Sequence, residues 1–367
     1  MKTESYQYKA WSDPEIAPQR PPGRWLFEHP HVILDTRSPK EFAKGHITGA
    51  VSFPLFDNDE RAVIGTLYKQ HGKDAAVERG LEFVGPKMAE FVREAKERFA
   101  AQAKPFPLVV HCARGGMRSG SVAWLLETAG LNVVKVTGGY KAYRAWARSN
   151  FAQIPNLRIL GGMTGVGKTQ ILKAMRAQGA QVIDLEGRAG HLGSVFGNLD
   201  RTPQPTSEQF GNDCHFDLLT LDASRPIWME NESRVIGTVH QPQELFDVLR
   251  QAPVWAVTRT VEERVDELCR VYGDADRAAL KRAFERIQEK LGGLNLQAAL
   301  DALDNGDLRT AAGIGLKYYD RLYQHTRKRY ARDHYVDVEC AGMDFSQAAA
   351  AVLAAAKSEQ GCSTLRP

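Results

Sequence analysis

The run His111-Cys112-Ala113-Arg114-Gly115-Gly116-Met117-Arg118-Ser119 puts a cysteine between an apolar, strand-like segment, Leu108-Val109-Val110, and the mouth of a helix expected over Ser119–Leu126. The thiolate, not the thiol, is the nucleophile. Loop N–H groups around Gly115 and Gly116, the positive end of the helix and the guanidinium groups of Arg114 and Arg118 all favour that charged form. A free cysteine usually ends as a small buried hydrophobe. Such a residue has no use for two arginines and two glycines beside it, so Cys112 is the candidate catalytic residue.

A second constellation begins at Gly162. The run Gly162-Met163-Thr164-Gly165-Val166-Gly167-Lys168-Thr169 fits the phosphate-loop pattern GxxxxGK[ST], with an apolar strand-like segment before it (Leu157–Leu160) and a helical run after it (Gln170–Gln178). Its glycines let successive backbone N–H groups point at phosphate oxygens, Lys168 adds a point charge, and Thr169 can hold Mg²⁺. No other metal is expected, since Cys214 and His215 are sequence neighbours without paired ligand spacing. The loop specifies a polyphosphate and leaves open which one.

Further polar residues cluster near the ends of expected strands. Gln181–Asp184 leads into Glu186 and Arg188 and then a glycine-rich loop, Gly190-His191-Leu192-Gly193-Ser194, while Ile227–Arg234 is another strand whose end carries acids, Glu230 and Glu232. In open α/β sheets ligands bind at such strand ends. Asp184, Glu186, Arg188 and Glu230 are therefore candidates to assist the phosphate site or its metal, although a helix cap or a solvated charge explains Asp184 or Glu230 equally well. Towards the C-terminus Lys281, Arg282, Arg286 and Lys290 recur at helical spacing. Beyond them Lys317, Arg321, Arg327, Lys328 and Arg329 interleave with tyrosines. Cations among aromatics suit a phosphate backbone with stacked bases, although a solvated amphipathic face explains the same pattern.

The elements that must carry these loops read as α/β throughout. Short apolar runs (Val32–Leu34, Ala50–Phe53, Leu108–Val110, Val133–Val136) alternate with helical patterns as in a parallel sheet. The pattern restarts after Phe151–Asn156, a linker containing Pro155. Val254–Val257 is a further strand, followed by a helix from Glu262 to Tyr272. The expected domains are 1–150, 151–357 with a helical and partly basic C-terminal portion, and a disordered tail over 358–367.

The 367 residues are enough for two or three domains. A net charge of +4 permits a nucleic-acid partner without arguing for one. Met1–Trp11 lacks the apolar core of a signal peptide, and the longest apolar run, Ala348–Ala356, is too short for a bilayer. Five scattered cysteines without CxxC spacing read as reduced thiols. A cytoplasmic protein with no membrane partner is expected.

Residues 1–150 resemble a rhodanese domain. The likeness is carried by Asp35-Thr36-Arg37, Glu41-Phe42, Gly45-His46-Ile47-Thr48-Gly49-Ala50, the Cys112 loop and Gly138-Gly139-Tyr140. The chain as a whole is similar to the tRNA 2-selenouridine synthase family, a rhodanese domain fused to a phosphate-loop NTPase-like domain. The shared order extends to the insertion Phe56–Arg61 through Gly65–Lys69 to Val84–Lys87, to Gly138–Arg144, and to Asp184–Gly187.

That resemblance implies conversion of wobble 2-thiouridine in tRNA to 2-selenouridine through an S-geranylated base, with geranyl diphosphate and selenophosphate as substrates and no tightly bound cofactor. It implies that Cys112 serves the selenation step, by carrying selenium as a perselenide or by attacking the geranylated base or selenophosphate, that Arg114, Gly115, Gly116 and Arg118 form the selenium-donor loop, and that an enzyme supplying selenophosphate is a partner. Gly162, Thr164, Gly165, Val166, Gly167, Lys168 and Thr169 would then bind geranyl diphosphate rather than a nucleotide. Two alternatives stay open. His111-Cys112-x5-Arg118 also fits the cysteine-phosphatase signature, and a rhodanese-fold sulfurtransferase or docking module could be fused to a phosphate-loop NTPase.

Overall fold

Leu108, Val109 and Val110 are all fully buried, because the strand they form is covered on both faces. Leu108 and Val110 join Leu34 and Val133 in one apolar cluster, while Val109 joins Ile33, Val134 and Val136 in another. This is the period-two alternation of a strand, with both faces turned to core. The structure is a computed structural model. It describes residues 19–99, 106–191, 197, 203–329 and 335–363, with the backbone alone at 325, 326, 328, 329 and 359–363.

The chain divides into two compact units, Met1–Asn150 and Phe151–Pro367. The first holds strands β1 (Gln19–Arg20), β2 (Ile33–Asp35), β3 (Val51–Ser52), β4 (Leu108–His111) and β5 (Val133–Val136) in a parallel sheet of order β1-β5-β4-β2-β3. Its helices are α1 (Trp25–Glu28), α2 (Pro39–Lys44), α3 (Asn58–Val84), α4 (Met88–Phe99), α5 (Met117–Thr128) and α6 (Gly139–Phe151). The central strand β4 ends at His111, so Cys112 leaves the carboxyl end of the middle of the sheet. The insertion after Phe56 is helical. A capping box of Asp57 and Glu60 starts α3, and Gly72, at φ 87°, kinks it midway.

The second unit repeats the plan. Strands β6 (Leu157–Gly162), β7 (Gln181–Val182), β8 (Ile227–Glu230), β11 (Val254–Thr258) and β12 (Tyr335–Glu339) form a parallel sheet of order β12-β11-β6-β8-β7, and β9 (Val235–Ile236) and β10 (Val239–His240) form a small antiparallel pair. The phosphate-loop run leaves the carboxyl end of β6, the central strand. From there the chain first builds β7 and β8 on one side and later β11 and β12 on the other, which makes this end a topological switch point. Around the sheet lie α7 (Lys168–Ala177), α8 (Leu185–Ala189), α9 (Ser207–Thr220), α10 (Gln243–Gln251), α11 (Val261–Tyr272) and α16 (Phe345–Ser363). Helices α12 (Arg277–Arg286), α13 (Gln288–Leu291), α14 (Gly293–Asp304) and α15 (Leu308–Arg329) share a separate cluster built on Leu280, Phe284, Leu303 and Tyr318.

Several boundaries differ from expectation. Helix α5 starts at Met117 and α7 at Lys168, each two residues before the apolar periodicity becomes visible. The strand expected over Gln181–Asp184 stops at Val182, because Asp184 turns its carboxylate back onto the Gly187 N–H and caps α8. Phe151 closes α6 and is fully buried, so it is not part of an open linker. The tail expected to be disordered from Ser358 continues as helix α16 to Ser363, since nothing before Gly361 breaks the alanine-rich helical run that packs on α7.

Candidate active sites at two strand ends

Cys112 is 3% exposed and lies at the floor of its loop. The Ser119 hydroxyl is 3.2 Å from Cys112 Sγ and 3.2 Å from the Gly116 carbonyl. It holds one proton, and a thiolate is the stronger acceptor of the two. Burial by itself would raise the Cys112 thiol. Hydrogen bonds from the Ser119 hydroxyl and N–H and from the Arg114 N–H, together with the Arg118 charge, outweigh it and lower the thiol below its ordinary value. Sequence reasoning placed Ser119 in the run but gave it no task. A hydroxyl on the first turn of a helix looks like any other until the fold brings it to the sulfur.

The other residues of the first-unit motifs meet beneath this loop. Arg37 donates to Asp35 through Nε and Nη2 and to the Gly45 carbonyl, and its guanidinium lies 3.8 Å from the centre of the Tyr140 ring. Tyr140 N–H donates to the Cys112 carbonyl at 2.8 Å. Gly139, at φ +56°, lets this turn approach so closely that a Cβ there would lie 2.2 Å from the Cys112 carbonyl oxygen. His111 is fully buried, and neither of its ring nitrogens has a hydrogen-bond partner. Burial lowers its pKa, so it stays neutral beside Asp35.

The second site is the crown between β6 and α7. Gly165 and Gly167 adopt left-handed φ values of 83° and 82°, and a Cβ on Gly165 would press to 2.8 Å from the Arg264 carbonyl. Arg264, 1% exposed, donates Nε to the Thr164 carbonyl at 2.8 Å and pairs with Asp320 through both terminal nitrogens. The crown is thereby tied to α11 and α15. Its cavity encloses about 960 Å³. Lys168 and Thr169 line it, together with an apolar and aromatic group, Leu268, Val271, Tyr272, Tyr319 and Leu322, and with further charged residues that include Lys173, Arg234, Arg250 and Arg270.

Profiles of known families match both units. Residues 24–145 match the rhodanese-like domain, and residues 155–343 match the tRNA 2-selenouridine synthase AAA domain. A protein named tRNA 2-selenouridine synthase from Pseudomonas syringae pv. syringae is 35% identical over 84% of this chain and 92% of its own length. One of the same name from Bordetella bronchiseptica is 36% identical over 84% and 91%, and one from Bdellovibrio bacteriovorus 36% over 77% and 82%. The chain belongs to the tRNA 2-selenouridine synthase family.

Family membership makes the chain an enzyme and sets aside a stand-alone phosphatase. It leaves each side chain's task to geometry. Of the acids singled out in sequence, Glu186 reaches the phosphate loop, where it accepts the Thr169 hydroxyl at 2.9 Å. Glu230 is fully buried behind it. One of its oxygens takes the Leu185 N–H, the other has no partner, and burial next to Asp184 and Glu186 holds the carboxyl well above its ordinary value. Asp184 is the helix cap already described. Arg188 pairs with Asp217 through Nε and Nη2 rather than facing the phosphate loop.

Glu232, a strand-end acid to which the sequence gave no role, lines the same cavity. Burial and then the Glu186 charge push its carboxyl up to about 8 against the pull of Lys168. Among the described residues no group of three or more His, Cys, Asp or Glu side chains could hold a metal ion.

The basic residues of α15 do not form one free stripe. Arg327 pairs with Asp337, packs over Tyr335 at 4.2 Å and lines the phosphate-loop cavity. Lys317 and Arg321 are exposed, and Arg321 donates to the Lys317 carbonyl. The side chains of Lys328 and Arg329, and residues 192–194 of the glycine-rich loop, lie outside the described residues. On α12, Lys281 pairs with Asp304 and Arg282 with Asp276. No helix among the described residues is long and apolar enough to cross a membrane.

Proposed function

We propose that this enzyme converts 2-thiouridine at the tRNA wobble position to 2-selenouridine in two steps, geranylation at the phosphate loop and selenation at Cys112. One observation carries the reading. The cavity at the phosphate loop is lined by cations, Lys168, Lys173, Arg250 and Arg270 among them, and also by Leu268, Val271, Tyr272, Tyr319 and Leu322, a mixture that suits a diphosphate attached to a hydrocarbon chain. Thioether formation also makes chemical sense, because an S-alkyl group leaves a pyrimidine C2 far more readily than a thiocarbonyl sulfur.

In the first step the base sulfur attacks C1 of geranyl diphosphate. The C1–O bond breaks, diphosphate departs and the base loses its N3 proton. Lys168 and the N–H groups of Gly165, Val166 and Gly167 are preorganised for the charge that gathers on the leaving diphosphate. The Thr169 hydroxyl and Glu186 carboxylate are hard oxygen donors in contact with each other, a fit for Mg²⁺ held with water and diphosphate oxygens. The ion would add charge stabilisation to the same leaving group.

In the second step the Cys112 thiolate attacks C2 of the geranylated base, forming C2–Sγ and releasing geranylthiol. Selenium of selenophosphate then displaces Sγ, and water takes the phosphoryl group. This route changes no oxidation state, whereas moving a selenium atom onto the thiolate would leave reduced phosphorus. Arg114, exposed in the Cys112 loop, is available to the anionic donor. A cytoplasmic setting, a separate source of selenophosphate and tRNA contacts through Lys317, Arg321, Arg327, Lys328 and Arg329 complete the reading.

Mass spectrometry of tRNA nucleosides after geranyl diphosphate and then selenophosphate tests it. Cys112→Ala is expected to accumulate S-geranyl-2-thiouridine, and Lys168→Ala to lose geranylation by on the order of 100-fold or more. Loss of both products in Cys112→Ala overturns the division of labour. Tight ATP binding with which geranyl diphosphate does not compete overturns the assignment of the phosphate loop.

A further inference from the structure

A second large cavity, of about 1040 Å³, adjoins Cys112 in the first unit. It lies between the Cys112 loop, the first turns of α5 and the insertion helix α3. Its lining has two characters. Cys112 shares it with Arg61, Lys69, Arg114 and the Arg118–Glu41 pair, a cationic part that suits an anionic selenium donor.

The rest is apolar, and no anionic donor needs it. Five large apolar side chains are exposed among the described residues of this unit, namely Val63, Tyr68, Leu81, Met117 and Trp124. All but Val63 line this cavity, and Leu81 and Trp124 are 66% and 58% exposed. Exposed apolar side chains scattered singly need no explanation, but gathered in one concavity beside a nucleophile they mark a binding site. Small residues keep its floor open. Ala76 and Gly80 face it from α3, and a Cβ on Gly80 would already touch Phe56 Cζ at 3.4 Å and Ile64 Cδ1 at 3.8 Å.

We infer that this cavity receives the isoprenoid chain of the thioether while the base carbon is at Cys112, so that the enzyme has one site for the chain in each unit. The inference deepens the function proposed above and rests on its S-geranyl intermediate. The chain is the one apolar group in the second step. It leaves as geranylthiol when C2–Sγ forms, and a wall that holds it orients the carbon–sulfur bond to be broken and keeps water from the thiolate. Each methylene removed from water contributes roughly a fourfold gain in affinity, so the chain is also a strong handle for choosing the geranylated base over unmodified 2-thiouridine.

The test uses the full chain, selenophosphate and anticodon stem-loop RNAs carrying S-geranyl- or S-methyl-2-thiouridine, with 2-selenouridine read by mass spectrometry. Wild type is expected to favour the S-geranyl substrate in kcat/KM by on the order of 100-fold or more. The exposed-site double variant Leu81→Asn/Trp124→Gln should lose about tenfold on S-geranyl RNA. It should leave S-methyl RNA, and geranylation of 2-thiouridine RNA from geranyl diphosphate, unchanged. Equal conversion of the two thioethers by wild type, or an undiminished geranyl preference in the variant, overturns the site alone. If wild type selenates neither thioether, the geranyl route itself falls.

Discussion

Arg118 is bonded to Glu41 through both terminal nitrogens, Nη1 to Oε2 at 2.6 Å and Nη2 to Oε1 at 3.2 Å. Its charge still favours the Cys112 thiolate, but its fork of donors is occupied by a carboxylate from α2. Arg114 is the exposed arginine of the loop. The two arginines that look equivalent in sequence thus divide into one that shapes the loop and one open to a substrate anion.

That pairing predicts an acid-side stability change. Burial would raise the Glu41 carboxyl, yet the Arg118 hydrogen bonds, the Ser38 N–H and the charges of Arg118 and Arg61 bring it to about 2. A depressed carboxylate adds stability above its unfolded pKa and loses it as pH falls through the folded value. Glu41→Gln should be less stable than wild type at pH 7 by about 1 kcal/mol. In urea titrations the gap should narrow below pH 4.5, the ordinary value, and close near about 2. A gap independent of pH would show that the pair does not supply it.

Ser119→Ala removes the hydroxyl donor at Cys112 and should move the midpoint of iodoacetamide alkylation against pH upwards by about one unit. Selenation near neutrality should fall by about tenfold with it, and geranylation should not change. An unmoved midpoint would mean that the loop N–H groups hold the thiolate unaided.

Arg264→Met cuts the tie between the Thr164 carbonyl, Asp320 and the phosphate-loop crown. Breaking a buried ion pair from one side leaves the other charge uncompensated, so a loss of about 3 kcal/mol in denaturant unfolding is expected. Geranyl diphosphate should bind more weakly as the crown loosens. Wild-type stability and affinity in this variant would show that the clamp is dispensable.

Glu232 predicts the opposite pH slope from Glu41. A carboxyl raised to about 8 keeps its proton in the folded chain after the unfolded chain has lost it, so wild-type stability should fall as pH rises from its ordinary 4.5 through about 8. Glu232→Gln should flatten that fall and leave a remainder from Glu230, which burial raises in the same direction. The readout is unfolding free energy across that pH range, and identical slopes in the two proteins would place the proton elsewhere.

Much of the molecule was legible in the chain because its signals are local. The strand before Cys112 and the one before Gly162 announce themselves as mostly apolar runs, since parallel strands covered on both faces are built chiefly of apolar residues; Arg158, buried over Trp228 and Trp255, is the exception. The glycines of the two loops mark backbone turns that side chains resist, and so both loops could be placed at strand ends without coordinates. Their presence in one chain, in one order, also carried the family.

What the sequence could not decide are pairings across long separations. Ser119 on the sulfur, Glu41 on Arg118, Asp320 on Arg264 and Asp217 on Arg188 each depend on how helices pack, and a charged residue in sequence carries no label for its partner. Asp184 could read as an assistant of the phosphate site or as a cap and is the cap, Arg188 is held in an ion pair, and Glu232, one of several strand-end acids in sequence, gains a place only when folding puts it in the cavity. The apolar cavity beside Cys112 is the extreme case. Its walls come largely from α3 and α5, and only their convergence on one concave surface shows that these apolar residues are left uncovered. Sequence determines which groups can do chemistry, because reactivity belongs to residue types and short loops. Tertiary structure decides what each group faces, because burial and pairing are properties of the space that the packed elements enclose.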